Sequence, residues 1–193
     1  GFLQSGFELT ANGPRLLEFL RAMRREVLDQ YDCLTVGECP GMPPDLARQI
    51  TDAETGALDM VFQFEHVELD TQPGQAKWAL KPLHLPDLKR SLASWQAAMA
   101  DAGWNSLYFC NHDQPRVVSR YGCDGEFRVP SAKMLATVLH GLRGTPYVYQ
   151  GEELGMVNYP FTDIAQCRDI ETLNMHREAL ARGDDPDAVL AAI

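Results

Sequence analysis

The sequence predicts an α/β fold with a parallel sheet, and two observations support this prediction. Short apolar segments of strand-like composition alternate with stretches whose apolar residues recur at helical spacing. The last of these segments has no polar alternation, which is typical of a strand buried on both faces. The predicted strands, in chain order, are Leu34–Gly37, Met60–Phe64, Ser106–Phe109 and Thr145–Tyr149.

Helices are predicted before, between and after these strands. Pro14 suits the first turn of a helix, while Gly103 and Gly144 suit the ends of the helices that precede them. A turn-rich loop is predicted at Pro73–Lys81, and a long polar loop leads from the third strand to Pro130. The predicted helices are Pro14–Leu28, Asp45–Ile50, Asp87–Ala102, Ser131–Leu142, Arg168–Arg182 and Pro186–Ile193.

Four strand–helix units amount to half of a (β/α)₈ barrel, or TIM barrel, whose complete form usually needs about 250 residues. The 193 residues therefore predict a partial barrel if the sheet belongs to a barrel. The chain also begins without Met, so we expect it to start within a longer protein. Periodicity alone leaves a small doubly wound sheet open as an alternative.

The formal net charge of −10 argues against nucleic acid and anionic membranes as partners, because both are bound through a surplus of Lys and Arg. A neutral substrate such as a sugar is compatible with this charge. No apolar stretch is long enough to span a membrane, and the first six residues lack the basic and apolar regions of a signal peptide.

The five cysteines contain no Cys-x-x-Cys pair, which predicts reduced thiols in a cytoplasmic protein. The chain has no GxGxxG, P-loop, nucleophile-elbow or zincin motif. These absences weaken nucleotide-binding, phosphoryl-transfer and esterase functions. No cluster of residues implies a metal site, and no cofactor is expected.

Polar side chains gather where two of the predicted strands end. The segment 111–116, with the sequence Asn-His-Asp-Gln-Pro-Arg, follows the third strand, and Glu38 directly follows the first. In α/β barrels the catalytic groups lie at the carboxyl-terminal ends of the strands, so we expect Glu38 and Asp113 at the same edge of the sheet. Two carboxylates at one such edge are typical of enzymes that hydrolyse glycosidic bonds.

Each of these carboxylates also has a non-catalytic interpretation. Glu38 is suited to protonating a departing oxygen if partial burial and nearby negative charge raise its pKa, and the alternative is a loop glutamate that faces water. An ionised Asp113 is suited to stabilising positive charge at an anomeric carbon, and together with His112 it is suited to holding adjacent sugar hydroxyls. The alternative here is an Asx-type turn with a structural Arg–Asp pair.

Other polar and aromatic residues near the strand ends are assigned supporting roles. Glu65 and His66 follow the second strand and are predicted to hold a loop in place rather than to take part in chemistry. Glu152, beyond the fourth strand, is predicted to anchor its own loop by hydrogen bonds. Trp78, in a loop, is the better candidate for stacking on a sugar ring, while Trp95 is predicted to be a core residue.

These motifs resemble the α-amylase superfamily (glycoside hydrolase family 13), in the form found in its α-glucosidase and oligo-1,6-glucosidase branch. Asn111–Arg120 resembles the last conserved motif of the family, and Leu34–Glu38 resembles the motif that carries its general acid. Met60–His66 resembles its sixth strand, Gly144–Met156 its eighth strand and the following loop, and Arg168–Asn174 also fits this branch. The resemblance covers nearly the whole chain and implies about strands 5 to 8 of a (β/α)₈ catalytic barrel.

The resemblance implies hydrolysis of α-glucosidic bonds with retention of configuration. Glu38 then matches the general acid and base, and Asp113 matches the carboxylate that stabilises the transition state. His112 matches the histidine that binds hydroxyls of the glucose in the pocket. Arg116 matches the arginine of the same motif, which lies near the pocket entrance.

The chain departs from the family in one respect that matters for catalysis. The nucleophile of the family is an Asp at the end of the fourth strand, two residues after an Arg, and no such strand precedes Gly13 here. We therefore expect residues 1–193 to be the C-terminal part of the catalytic barrel, with the N-terminal half and a C-terminal β domain outside this sequence. A retaining glycosidase needs both an acid and a nucleophile, so we expect the chain alone to have no turnover.

Several specificities stay open within this family. The leading hypothesis is hydrolysis of terminal α-glucosidic bonds in short oligosaccharides or disaccharides, since Gly37–Gly41 looks most like the oligosaccharide glucosidases. Trehalose-6-phosphate hydrolysis and sucrose-type transglycosylation are alternatives. A non-catalytic barrel relative that serves as a binding or assembly subunit is a further alternative, although both Glu38 and Asp113 are present. The sequence leaves the oligomeric state open.

Overall fold

The computed structural model describes residues 6–73 and 77–193 of the chain. These residues form two compact units, the first made of residues 6–69 and 83–156 and the second of the rest of the described chain. The predicted loop Pro73–Lys81 lies partly outside the described residues. Within the second unit, Thr71 pairs with Leu80 in an isolated antiparallel bridge, which closes this loop at its base.

The first unit contains a four-stranded parallel sheet in the order β1-β2-β3-β4. The register aligns Glu38 of β1 with Phe62 of β2, and Phe62 with Ser106 of β3. The predicted parallel α/β sheet is therefore confirmed, although each strand is shorter than predicted. The strands are β1 (Val36–Glu38), β2 (Met60–Phe62), β3 (Asn105–Leu107) and β4 (Thr145–Pro146).

All six predicted helices are present among the described residues with shifted boundaries, and three short helices occur that were not predicted. They are α1 (Phe7–Thr10), α2 (Leu16–Glu26), α3 (Pro44–Ile50), α4 (Glu65–Glu68), α5 (Leu85–Ala98), α6 (Val117–Tyr121), α7 (Arg128–Gly141), α8 (Ile170–Arg182) and α9 (Pro186–Ala191). Helix α6 lies inside the stretch predicted to be a polar loop, which corrects that prediction. Helix α7 begins before Pro130, because a proline in the first turn costs no intrahelical hydrogen bond.

The core of the first unit lies between the sheet and the helices that follow β1 and β2. Ile50 of α3, Val61 of β2 and Trp95 of α5 pack together there, each at most 3% exposed. This confirms Trp95 as a core residue. Apolar residues of α2 cover the same cluster from another side. The helices thereby fix one face of the strands and leave their carboxyl-terminal ends to present polar groups.

The two outer strands of the sheet are more exposed than the two inner ones. Met60 and Val61 of β2 are buried, whereas Val36 of β1 is 39% exposed and Val148, just after β4, is 47% exposed. The prediction that Thr145–Tyr149 is buried on both faces is therefore wrong in this structure. The physical reason is that β4 has a hydrogen-bonded neighbour on one side only among the described strands. The sheet is open, as expected of a partial barrel.

None of the helices among the described residues combines the length and the apolar character that a membrane crossing requires.

Candidate active site

The sequence-predicted site residues lie at one edge of the sheet. Glu38 is the last residue of β1, and the segment 111–116 begins a few residues beyond the end of β3. Parallel strands end at the same edge, and two strand spacings separate β1 from β3 by roughly 10 Å. Gly37 fits the close packing before Glu38, because a Cβ there would lie 2.7 Å from Cδ1 of Leu58. The topology therefore brings both candidate carboxylates to one edge.

Glu38 is exposed at the end of the outer strand β1, so the partial burial expected of it is not present in this structure. The negative charge of Glu38 contributes to the raised pKa of two neighbouring side chains. Burial, together with the charge of Glu38, raises the pKa of Cys39 to about 11 and raises the pKa of Tyr108 well above its usual range. The Tyr108 ring meets the Phe62 ring edge-on at 5.2 Å. Its buried hydroxyl has no hydrogen-bond partner among the described residues. Tyr108 directly follows β3, so its side chain connects the end of this strand electrostatically with Glu38 at the end of β1.

The turn after β3 presents His112 and Asp113 to solvent. The backbone N–H of Asp113 donates to Oδ1 of Asn111 at 2.8 Å, which forms an Asx turn. Nε2 of His112 lies 3.3 Å from Oδ2 of Asp113. Their side chains are 73% and 66% exposed, so neither is held by packing. The Asx turn expected in the non-catalytic interpretation of Asp113 is therefore present. Within it, the imidazole of His112 and the carboxylate of Asp113 both face solvent.

Arg116 connects this turn to the loop after β4. Its Nη1 donates to the carbonyl of Gln150 at 2.7 Å, and its guanidinium lies 4.8 Å from the centre of the Tyr149 ring. Gly151 follows with φ of 90°, and a Cβ at this position would lie 2.1 Å from Sδ of Met156. The glycine therefore allows the loop to fold tightly beside Arg116.

Glu152 anchors the same loop, as predicted. Its Oε2 accepts hydrogen bonds from the backbone N–H of Tyr149 at 3.1 Å and from the thiol of Cys110 at 3.4 Å. Burial raises the pKa of the Glu152 carboxyl, and burial raises the pKa of Cys110 to about 11. The carboxyl thereby ties the end of β3 to the end of β4.

Glu65 and His66 hold the segment after β2 in place, as predicted. His66 is 2% exposed, and its Nε2 donates to the carbonyl of Tyr108 at 2.7 Å. Nε2 of Gln63 donates to Nδ1 of the same ring at 2.7 Å. Oε2 of Glu65 accepts from the indole N–H of Trp95 at 2.8 Å. Neither side chain is thus free to act in chemistry.

Lowering the pH is expected to destabilise the chain through His66. Burial lowers the pKa of His66 from its ordinary value of 6.5 to about 4. Between these values the unfolded chain binds a proton that the folded chain excludes, so this contribution is complete above pH 6.5 and is lost as the pH falls towards 4. At about 1.4 kcal/mol per pKa unit, the loss is on the order of 3 kcal/mol. Urea unfolding at a series of pH values measures it.

The control for this pH dependence is His66→Gln, which places a neutral amide at the same site. The difference in unfolding free energy between the two proteins isolates the imidazole from all carboxylates that titrate in the same range. Parallel pH profiles for the wild type and His66→Gln would contradict a buried neutral imidazole.

Sequence reasoning missed the part that Arg120 and Tyr121 play in the site. Nη1 of Arg120 donates to Oε1 of Gln114 at 2.6 Å, and its Nη2 donates to the carbonyl of Val67. The Tyr121 hydroxyl donates to the carbonyl of His66 at 2.9 Å. Arg120 is the last residue of the motif Asn111–Arg120, and this motif is the one sequence signal that pointed to it.

The sequence predicts that Trp78 stacks on a sugar ring and that no cluster of residues forms a metal site. Trp78, in the second unit, is half-buried with the Lys77 ammonium 4.9 Å from the centre of its ring, and its role in sugar stacking stays a prediction. Among residues 6–73 and 77–193 no group of His, Cys, Asp and Glu side chains is arranged to hold a metal ion.

Comparison with known proteins found a matching family model and several similar proteins. A family model described as the alpha-amylase catalytic domain matches residues 4–189. The chain is 54% identical to an oligo-1,6-glucosidase from Parageobacillus thermoglucosidasius, over 98% of the chain and 34% of that relative.

Two solved structures resemble the chain in both sequence and fold. A trehalose-6-phosphate hydrolase from Bacillus licheniformis is 47% identical with a TM-score of 0.90, over 98% of the chain and 34% of that protein. An isomaltulose synthase from Klebsiella sp. LX3 is 34% identical with a TM-score of 0.83, over 93% of the chain and 32% of that protein. The chain thus spans about a third of the length of these relatives.

Proposed function

The chain belongs to the alpha-amylase catalytic-domain family, and from this membership we propose that the full-length protein containing it hydrolyses α-glucosidic bonds with retention. We further propose that residues 1–193 are the C-terminal part of a (β/α)₈ catalytic barrel, about strands 5 to 8. The observation that carries the proposal is that Glu38 and the His112–Asp113 turn both follow strands that end at one edge of the parallel sheet.

The proposed mechanism assigns two reacting roles to this chain. Glu38 donates a proton to the departing glycosidic oxygen and later takes a proton from the attacking water. The carboxylate of Asp113 stabilises the positive charge that develops at the anomeric carbon. The nucleophile is an Asp that this chain does not supply, from the end of a fourth strand.

Substrate binding is assigned to His112 and Arg116. His112 lies 3.3 Å from Asp113, so imidazole and carboxylate together can hold adjacent hydroxyls of one glucose ring. The Arg116 guanidinium, held at the Gln150 carbonyl, lies where the loops after β3 and β4 meet and contributes a cation at the pocket entrance.

The proposed substrates are short α-linked oligosaccharides or disaccharides of glucose. The 54% identity to an oligo-1,6-glucosidase supports this class. Trehalose-6-phosphate hydrolysis is the second candidate, favoured by 47% identity to a hydrolase of that name. Sucrose-type transglycosylation is supported by the weaker match to an isomaltulose synthase.

A cytoplasmic location is part of the proposal. All five cysteines are free thiols, as is usual in a reducing compartment.

The test begins with the coding DNA upstream of Gly1. Four more strand–helix units, the fourth ending in Arg-x-Asp, are expected there. The full-length protein made from this DNA is then assayed for glucose release from an α-1,6-linked glucose disaccharide and from trehalose 6-phosphate, and for formation of a new disaccharide from sucrose. An upstream region without that Asp would overturn the retaining mechanism and favour a non-catalytic barrel relative.

The 193-residue chain by itself is expected to show no glucosidase turnover. It carries Glu38 and Asp113 but no proposed nucleophile, and double displacement needs acid and nucleophile about 5–5.5 Å apart. The measurement is nitrophenol release from a nitrophenyl α-glucoside, with circular dichroism to establish that the chain is folded. Release that falls strongly in the Asp113→Asn variant would refute this expectation.

A further inference from the structure

Three hydrogen-bonded links join helix α4 to the segment that carries the candidate active site. The His66 imidazole donates to the Tyr108 carbonyl at 2.7 Å, and the Tyr121 hydroxyl donates to the His66 carbonyl at 2.9 Å. The Arg120 guanidinium donates both to the Val67 carbonyl and to the side chain of Gln114. These links run from the end of β2 to both sides of the turn 111–116.

The partners of His66 fix its tautomer. A carbonyl oxygen can only accept, so Nε2 carries the hydrogen that points at Tyr108. Nδ1 is then the acceptor of the Gln63 amide N–H. Burial lowers the pKa of this imidazole, which keeps it neutral and keeps Nδ1 free of a second hydrogen. Gln63 thus orients the His66 ring, and Nε2 of this ring donates to the carbonyl of Tyr108 at the end of β3.

Packing does not fix the side chains of His112 and Asp113 within the turn. The side chains of His112 and Asp113 are 73% and 66% exposed, and the Asx turn at Asn111 orders the turn only internally. Hydrogen bonds of Gln114 and Arg116 hold the later side of the turn, so the placement of His112 and Asp113 relative to Glu38 depends further on the backbone that leads into the turn. Tyr108 is that backbone, four residues before His112, and it is 3% exposed.

We propose that His66 is a positioning residue of the candidate active site, which fixes the Tyr108 carbonyl as a neutral Nε2–H tautomer and thereby places the His112–Asp113 turn. This proposal rests on the proposed function, because it takes that turn to be part of the active site. Catalytic groups lose effectiveness when they are displaced by as little as about 1 Å, so such a tether contributes to rate without touching the substrate.

The first test compares two replacements of His66 in the 193-residue chain. His66→Leu removes the donor to Tyr108, whereas His66→Gln can place an amide N–H near the position of Nε2. Amide hydrogen exchange and chemical shifts of residues 111–116 are followed by NMR. We expect roughly tenfold faster exchange of the Asp113 amide in His66→Leu and recovery in His66→Gln.

The matched control is Trp95→Phe, which removes the neighbouring hydrogen bond to Glu65 and leaves the Tyr108 link intact. It is expected to lower global stability without changing the signals of residues 111–116. If Trp95→Phe changes these signals as much as His66→Leu does, or if His66→Leu leaves them unchanged, the positioning role is overturned.

A measurement on the wild-type chain covers the case in which His66→Leu does not fold. Imidazole ¹⁵N shifts near neutral pH are expected to show hydrogen on Nε2 alone; hydrogen on Nδ1 or on both nitrogens would overturn the proposal. Neither experiment uses a substrate. A full-length protein without glucosidase activity would refute the proposed function and leave these results standing, so the two failures are distinguishable.

Discussion

Replacing Glu38 by Gln in the full-length protein is expected to lower kcat on an α-1,6-linked glucose disaccharide by about 10²–10⁴-fold. The sugar leaving group is a poor one and needs a proton from Glu38 as the bond breaks. A nitrophenyl α-glucoside leaves without that proton, so its first step is expected to be affected much less. Steady-state kinetics on the two substrates, with burst kinetics for the nitrophenyl glucoside, measure the difference.

Glu54→Gln is the matched control for this substitution. Glu54 is also exposed and belongs to the same unit, but it lies between α3 and β2, at the opposite end of the sheet. It is expected to leave both substrates unaffected. Equal losses in the rate of the first step for the disaccharide and the nitrophenyl glucoside in Glu38→Gln would contradict the role of general acid and leave Glu38 a binding or structural residue.

The positions of Glu38 and Asp113 were predictable from sequence because their signals are local. A short apolar strand that ends in Glu, and another that ends in Asn-His-Asp, can be recognised without knowing the rest of the fold. The parallel arrangement then requires that both ends lie at one edge, and the register from Glu38 through Phe62 to Ser106 agrees with this.

The tether from His66 to Tyr108 was not predictable in the same way. Its two residues are 42 positions apart, and the bond joins a side chain to a backbone carbonyl, which has no residue-type signature. The exposure of β4 was mispredicted for a related reason. An apolar strand is buried only if it has neighbours on both sides and on both faces, and Thr145–Tyr149 itself carries no information about them.

Replacing Asp113 by Asn is expected to lower kcat by about 10²–10³-fold, and by a similar factor for both substrates. Asn keeps the size of the side chain and the backbone N–H that donates to Asn111, so the turn is expected to stay folded. What is lost is the negative charge that stabilises the developing positive charge at the anomeric carbon. That charge develops whichever group departs, so the loss does not depend on the leaving group.

Asp124→Asn is the matched control, since Asp124 is an exposed aspartate in the loop between α6 and α7. It is expected to leave kcat and KM unchanged. Glu38→Gln and Asp113→Asn are both expected to lower kcat, and the two substrates tell their effects apart. The loss in Glu38→Gln depends on the leaving group of the substrate, whereas the loss in Asp113→Asn does not. A raised KM with an unchanged kcat in Asp113→Asn would mean that Asp113 only binds the sugar. The chain would then supply one reacting carboxylate rather than two.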